Sequence, residues 1–269
     1  MRVLAHLSDL HFGRIDPAVL QPLIQKIQAI QPHLVVVSGD LTQRAKPEQF
    51  REARAFLDAL PGRKLVVPGN HDVPLYNLFQ RFFQPLDKFQ RFISQELEPA
   101  YVDEEIAVVG INTARSAVFK GGRINDAQLD RARAILCNLS ERVTKIIVTH
   151  HPFDLPPDHG DHHLVGRAVQ GMEMFARCGA DLLLAGHLHT SHAGDTTARY
   201  RIAGFSALVV QAGTATSTRG RGEQNSFNVL RVEPGQIEID RMSWNGRDFA
   251  IASTERFAHG AQGWRKLGS

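Results

Sequence analysis

Residues 64–73 read Lys-Leu-Val-Val-Pro-Gly-Asn-His-Asp-Val. A short apolar run stops at Pro68-Gly69, and the next three side chains, Asn70, His71 and Asp72, can each hold a cation or move a proton. The pattern recurs along the chain. Residues 3–7 lead into Asp9-Leu10-His11, residues 34–37 into Gly39-Asp40, residues 146–148 into Thr149-His150-His151-Pro152, and residues 182–185 into Gly186-His187-Leu188-His189. Each run has strand length and is bounded by polar residues, Gly or Pro; runs at 106–111 and 207–211 complete the set.

Helical patterns separate the runs. Asp16 can cap, and Pro17 can open, a helix in which Val19, Leu20, Leu23, Ile24, Ile27 and Ile30 form one apolar stripe that ends at Pro32. Similar patterns cover 47–60, 126–139 and roughly 166–178. Strands alternating with helices predict a largely parallel sheet, and such sheets bind ligands outside the carboxyl ends of their strands. Strand ends carrying Asp, His or Asn should therefore converge on one rim. In extended chain, residues two apart point the same way, so Asp9 with His11, and His187 with His189, are expected to face one centre as pairs. The remaining histidines, His6, His33, His159, His162, His163, His192 and His259, have no such support and are expected to be peripheral.

Beyond residue 200, the stretches 227–232 and 236–242 flank Pro234-Gly235, which predicts an antiparallel hairpin and a second sheet. For the tail 245–269, rich in Gly and polar residues, no element is expected, although Phe249, Phe257 and Trp264 could fold back onto the body. Without repeats or linkers, 1–269 reads as a single domain.

With 43% hydrophobic and 22% charged residues, a chain of 269 residues can bury a core without staples. Its 31 basic and 28 acidic side chains are evenly spread, so duplex nucleic acid is not an expected partner. No run approaches the roughly 18 apolar residues of a membrane-spanning helix. Polar Ser8 and Asp9 also come too early for a secretory signal, which makes a cytoplasmic location the expectation. Cys137 and Cys178 each stand alone in a helix-like stretch and are expected to be separate buried thiols in a reducing compartment.

Asp, His and Asn donors without cysteine suit Mn, Fe, Co or Zn. Seven such donors are too many for one tetrahedral ion. Two ions about 3.5–4 Å apart, sharing a carboxylate and a water, use them all and provide both a hydroxide nucleophile and a clamp for a phosphoryl group. Phosphoester hydrolysis is the reaction that such an arrangement serves.

The series Asp9-x-His11, Gly39-Asp40, Gly69-Asn70-His71-Asp72, His150 and Gly186-His187-x-His189 resembles the signature of the calcineurin-like metallophosphoesterase superfamily, with no element missing. The Gly-Asn-His-Asp-Val-Pro and Thr-His-His-Pro segments are most similar to those of bacterial class III cyclic nucleotide phosphodiesterases. The resemblance implies an α/β fold, a four-layer α/β/β/α sandwich of two mixed sheets flanked by helices, with the metal site at the strand C-terminal rim. It implies two divalent ions, Mn, Fe or Zn. Asp9, His11 and His189 would hold the first, Asn70, His150 and His187 the second, and Asp40 would bridge them. His71 would lie beside the metals as a hydrogen-bond or proton donor, oriented by Asp72; the plainer role for Asp72 is to cap the following segment.

The substrate must be read from the rim. Tyr76, Phe79, Phe82, Phe83, Phe89 and Phe92 fall in a helical stretch, 73–100, for which packing on the body is the plainer reading. The functional reading is a cap in which Phe79 and Phe83 stack a nucleobase, hold an acyl chain or form a homodimer contact. Asn112 closes a strand and could line the site, and Arg219 and Arg221, set among glycines, could meet a phosphate although solvated arginine is the default. The leading expectation is a metal-dependent phosphodiesterase acting on cyclic or small nucleotidic diesters. A hydrolase of lipid-linked or nucleotide-sugar pyrophosphates is the alternative, but the related lipid A precursor hydrolases typically carry Arg where this chain has His71. A non-catalytic scaffold would require lost ligands, and none is lost.

Overall fold

The computed structural model describes residues 1–117, 121–155, 164–200, 202–218, 222–260 and 263–268. The chain runs β1 (Arg2–Leu7), α1 (Pro17–Ile30), β2 (Leu34–Ser38), α2 (Pro47–Ala59), β3 (Arg63–Val67), a 3-10 turn Asn70–Asp72, α3 (Leu78–Phe83), α4 (Asp87–Phe92), β4 (Ala100–Val102) and β5 (Ile106–Gly110). It continues with α5 (Asp126–Leu136), β6 (Thr144–Val148), α6 (Ala168–Cys178), β7 (Leu182–Ala185), β8 (His192–Asp195), a second 3-10 turn Thr196–Ala198, β9 (Leu208–Gln211), β10 (Ser226–Glu233), β11 (Gln236–Trp244), β12 (Phe249–Gly260) and β13 (Gly263–Lys266).

Among the described residues the strands form two mixed sheets. One has seven strands in the order β13-β12-β11-β10-β1-β2-β3, the other six in the order β4-β5-β6-β7-β9-β8. The sequence-read strands are their parallel centres: β1, β2 and β3 in one sheet, β5, β6, β7 and β9 in the other. Alternation along each strand decides the layering. In β1, Leu4 joins the core between the sheets with Val36, Val67, Ile146 and Leu184, whereas Ala5 and Leu7 face the core under α1 and α2. The second sheet repeats the arrangement, with Ile147 and Leu183 facing the core beneath α5 and α6. Helix, sheet, sheet and helix are therefore stacked as expected.

Local signals act as read. Asp16 accepts the Ala18 N–H at 3.0 Å and Pro17 begins α1, which buries Val19, Leu23, Ile24 and Ile27. Gly235 takes φ 72 in the turn between β10 and β11, which pair antiparallel as read; the hairpin does not found a second sheet, however, but extends the first through β1, and the second sheet is built on β5, β6, β7 and β9.

Four expectations are corrected. The tail 245–269 is not without elements: β12 and β13 extend the first sheet, with Phe249, Phe257 and Trp264 as their buried residues. β12 is otherwise largely exposed, so no apolar alternation marks it. The two cysteines are not separate thiols but a disulfide, Cys137–Cys178, with Cα atoms 4.4 Å apart. α5 and α6 pack side by side over one core, and the cysteines stand at the ends of both helices, so adjacency invisible at a separation of 41 residues is created by the fold. Cysteine usage accordingly gives no argument for a reducing compartment. His6 is not peripheral: it is fully buried between the sheets with Nε2 2.9 Å from Ser38 Oγ, and burial pushes its pKa down to about 3.

The fourth correction concerns the Phe-rich stretch. It splits into α3 and α4, and packing on the body holds only for Phe89, fully buried, and Phe92, stacked on Phe50. Tyr76, Phe79 and Phe83 are 77%, 67% and 74% exposed. α3 is held instead by polar side chains: buried Arg81 donates to the Pro74 carbonyl, and Lys88 bridges Gln80 and the Ala45 carbonyl. No helix among the described residues is long and apolar enough to cross a membrane.

Candidate metal centre

The candidate ligands arrive from both sheets. Asp9 and His11 follow β1, Asp40 follows β2, Asn70 and His71 follow β3, His150 follows β6, and His187 and His189 follow β7. The sheets are joined at this rim by a bridge between Ser8 and Thr214 and by the Ala215 N–H donating to the Ser8 carbonyl. Five sequence-distant segments thus meet at one edge.

The pairs do not converge by extended alternation, as the two-residue spacing suggested. Among the described residues, eight non-glycine residues have positive φ, and five of them are Asp9, His11, Asp40, His187 and His189. Left-handed backbone costs a non-glycine residue roughly 1–3 kcal/mol and persists where the surroundings impose it, commonly at functional sites. The chain turns sharply after β1, β2 and β7, and the turn aims the side chain inward. Glycine at 69 is dictated by the same crowding, since a Cβ there would lie 2.1 Å from Asp40 Oδ1.

Each carboxylate divides its oxygens. Asp9 Oδ2 accepts the His187 N–H at 3.0 Å, and Asp40 Oδ1 accepts the His71 N–H at 2.8 Å, so backbone bonds tie each strand-end loop to another. The second oxygens face imidazoles. Asp9 Oδ1 lies 3.5 Å from His11 Nε2 and 3.4 Å from His189 Nε2. Asp40 Oδ2 lies 3.4 Å from His150 Nε2 and 3.7 Å from His11 Nε2, and His150 Nε2 is also 3.1 Å from Asn70 Oδ1. His187 packs edge-on to His150 with ring centroids 5.2 Å apart. Asp40 therefore stands between two donor sets, Asp9, His11 and His189 on one side, Asn70, His150 and His187 on the other.

These donors suit cations. Asp9 Oδ1 and His11 Nε2 are buried with no hydrogen-bond partner, which is costly unless an ion completes the site. Asp9, His11 and His189 offer donor atoms within 4.8 Å of one another, as do Asp9, Asp40 and His150. The histidines are oriented from behind: His150 Nδ1 donates to the Ser38 carbonyl at 2.8 Å, and His189 Nδ1 is 3.0 Å from Thr214 Oγ1. Burial would raise the pKa of Asp40, but His150, His71 and His11 outweigh it and hold the carboxyl well below its usual range. Burial would likewise raise that of Asp9, where His189, His11 and His150 outweigh it. His150 shows the reciprocal effect: burial disfavours its cation, yet Asp40 lifts its pKa to about 9. The pocket keeps its carboxylates ionised and asks for positive charge.

His71 lies beside the donor sets, but Asp72 does not orient it. His71 Nδ1 donates to the Gln43 carbonyl at 3.0 Å, so that carbonyl does the orienting, and the ring packs edge-on to His11 at 4.8 Å. The carboxylate of Asp72 accepts the N–H groups of Leu41, Thr42 and Gly69 and the Thr42 hydroxyl. Its work is to staple the Asp40 loop to the Asn70 turn. Burial, and next the Asp40 charge, push its pKa up to about 6. Sequence reading missed Gln43 because a main-chain carbonyl carries no residue signal.

The outer candidates are less central. Asn112 accepts the Ala114 N–H at 3.0 Å in the turn after β5 and borders a cavity of about 560 Å³ lined also by Glu98, Arg115 and Gln128. Phe79 and Phe83 lie against each other with ring centroids 4.9 Å apart and planes tilted by 34°, both largely exposed, and Arg44 lies over Tyr76 at 5.3 Å. Arg219, Arg221, His159, His162 and His163 lie outside the described residues.

Comparison with known proteins finds phosphodiesterases and phosphatases among the similar chains. The chain is 29% identical over 164 residues to a glycerophosphodiester phosphodiesterase of Enterobacter lignolyticus, covering 57% of this chain and 58% of that one. It is 25% identical to a cAMP/cGMP dual specificity phosphodiesterase of Mycobacterium tuberculosis, covering 87% of this chain and 77% of the relative. In fold it is similar to a dimetal phosphatase from Danio rerio, with TM-score 0.69 and 12% identity over 96% of this chain and 99% of that one. A purple acid phosphatase from yellow lupin gives TM-score 0.67 and 11% identity, covering 93% of this chain and 52% of that one. The calcineurin-like phosphoesterase family model matches residues 2–191, the span that supplies every one of these candidate ligands, and the chain belongs to that family.

Proposed function

We infer that the protein is a metal-dependent phosphodiesterase that hydrolyses cyclic or small nucleotidic phosphodiesters at a two-metal centre. The observation that carries the reading is the position of Asp40, whose Oδ2 faces His11 of one donor set and His150 of the other. The names of the relatives, phosphodiesterases for cyclic nucleotides and glycerophosphodiesters, support the substrate class.

Asp9, His11 and His189 would hold one divalent ion, Asn70, His150 and His187 the other, and Asp40 both. When bound, two such ions neutralise phosphoryl oxygens and activate water. The protein's own groups hold the diester and manage one proton. His71 fits that second task, because the Gln43 carbonyl orients its ring beside His11, where an imidazole can exchange a proton with a departing alkoxide. Asp72 acts at one remove, keeping the Asp40 and Asn70 loops in register.

A hydrolysis screen of Mn²⁺-loaded protein tests the reading. Cyclic nucleotides, glycerophosphodiesters and bis-nitrophenyl phosphate should be cleaved in preference to nitrophenyl phosphate. A preference for the monoester that persists across metals overturns the diester assignment.

A further inference from the structure

Three histidines crowd the second donor set, and one has no role in the reading above. His151 is fully buried, with its ring centroid 4.6 Å from that of His187 and 4.9 Å from that of His150. Its ligand atom lies within 4.8 Å of those of both neighbours, close enough to a metal position that its function needs deciding.

Hydrogen bonding and packing point to a supporting role. Thr113, just past β5, places Oγ1 2.8 Å from His151 Nδ1 and 3.3 Å from the His151 main-chain N–H. That N–H can only donate, so the hydroxyl accepts it on one lone pair and keeps its single proton available for Nδ1. With that proton given to Nδ1, the ring proton of the neutral imidazole resides on Nε2. A ring with Nδ1 accepting and Nε2 protonated has no lone pair left for a metal. Gly122 closes the ring from another side, since a Cβ there would lie 2.3 Å from Nδ1.

His187 is what this ring supports. It follows β7 in left-handed backbone at φ 72, it is only partly buried, and its main-chain N–H is spent on Asp9. The imidazole of His151 tilts 48° against it and blocks one side of its travel. We propose that His151 is a positioning residue for the second metal, a wall that fixes the ring of His187 and is itself locked by Thr113. The proposal rests on the two-metal reading and adds the end of β5 to the elements on which that metal depends.

Calorimetric titration of the metal-free chain with Mn²⁺ tests it. The wild type should take two equivalents. His151→Ala should leave the first site unchanged and weaken the second by about 10- to 100-fold, the usual effect of losing a group that orients a ligand. His151→Phe restores the wall without the nitrogens and should recover most of that loss. A second site unchanged in His151→Ala, or as weak in His151→Phe as in His151→Ala, overturns the proposal alone. A wild type that takes a single equivalent overturns the two-metal reading and the proposal with it. Should His151→Ala fail to fold, ¹⁵N spectra of the wild-type histidines serve: Nε2–H at His151, unchanged on adding Zn²⁺, is expected, and a proton on Nδ1 overturns the assignment.

Discussion

Asp40 Oδ2 lies 3.4 Å from His150 Nε2, although 110 residues separate the two in sequence and they enter from different sheets. With its other oxygen held by the His71 N–H, this carboxylate can serve both donor sets only if the loops after β2 and β3 stay in register. Asp40→Ala should therefore empty both metal positions rather than one. Elemental analysis of the purified variant checks this, and retention of one full equivalent would count against a shared ligand.

His71 separates proton transfer from metal binding. His71→Ala should lower turnover by about 10²- to 10⁴-fold with metal content unchanged. His150→Ala should lose metal as well. The grouping of His71 with His11 and Asp40 makes the competing reading explicit, since metal loss equal to that of His150→Ala would make His71 a ligand.

Exposure of Phe79 and Phe83 sets stability against binding. Either residue changed to Ala should shift unfolding free energy by no more than about 0.5 kcal/mol, as at other surface positions. Buried Phe89→Ala should cost about 3–5 kcal/mol. If the outer rings stack a nucleobase, nucleotidic diesters should lose about 1–3 kcal/mol of binding per lost stack while generic diesters lose much less. Equal losses on all diesters would remove the pair from the substrate site.

The cross-link between α5 and α6 gives a separate test of stability. It closes a loop of 41 residues, and reduction should cost about 2–4 kcal/mol, read as a lower urea midpoint. Mutation of both cysteines to Ser should reproduce the shift; an unchanged midpoint would show that the helices need no staple.

Asp103 gives a pH dependence remote from the metals. Partial burial alone would raise its pKa. The Ile106 N–H, the Tyr101 hydroxyl, the Glu105 N–H and Arg2 outweigh burial and lower it to about 2. A depressed carboxylate contributes stability that is complete above its ordinary value near 3.8 and lost as pH falls through about 2. The contribution is on the order of 2 kcal/mol. Asp103→Asn should be destabilised at pH 7, with the gap to wild type closing below about pH 4; a gap independent of pH would remove Asp103 as its source.

The parallel strands and the side chains gathered at their ends were legible because apolar runs end abruptly in Asp, Asn and His. Helix α1 was legible for a similar local reason, a capping Asp16 followed by Pro17. What escaped was set by tertiary contact. The left-handed backbone at Asp9, His11, Asp40, His187 and His189 is imposed by loops bonding one another across two sheets. Gln43 acts through its carbonyl, Asp72 serves backbone amides of a distant loop, and the cysteines meet only once their helices pack. The β12 strand shows too many polar, exposed positions to betray its pairing with β11.

Electron paramagnetic resonance of Mn²⁺-loaded protein tests the shared role of Asp40 most directly, because two ions joined by a carboxylate couple magnetically. The wild type is predicted to show the spectrum of a coupled pair. Two independent six-line signals at full occupancy would contradict a centre built around Asp40.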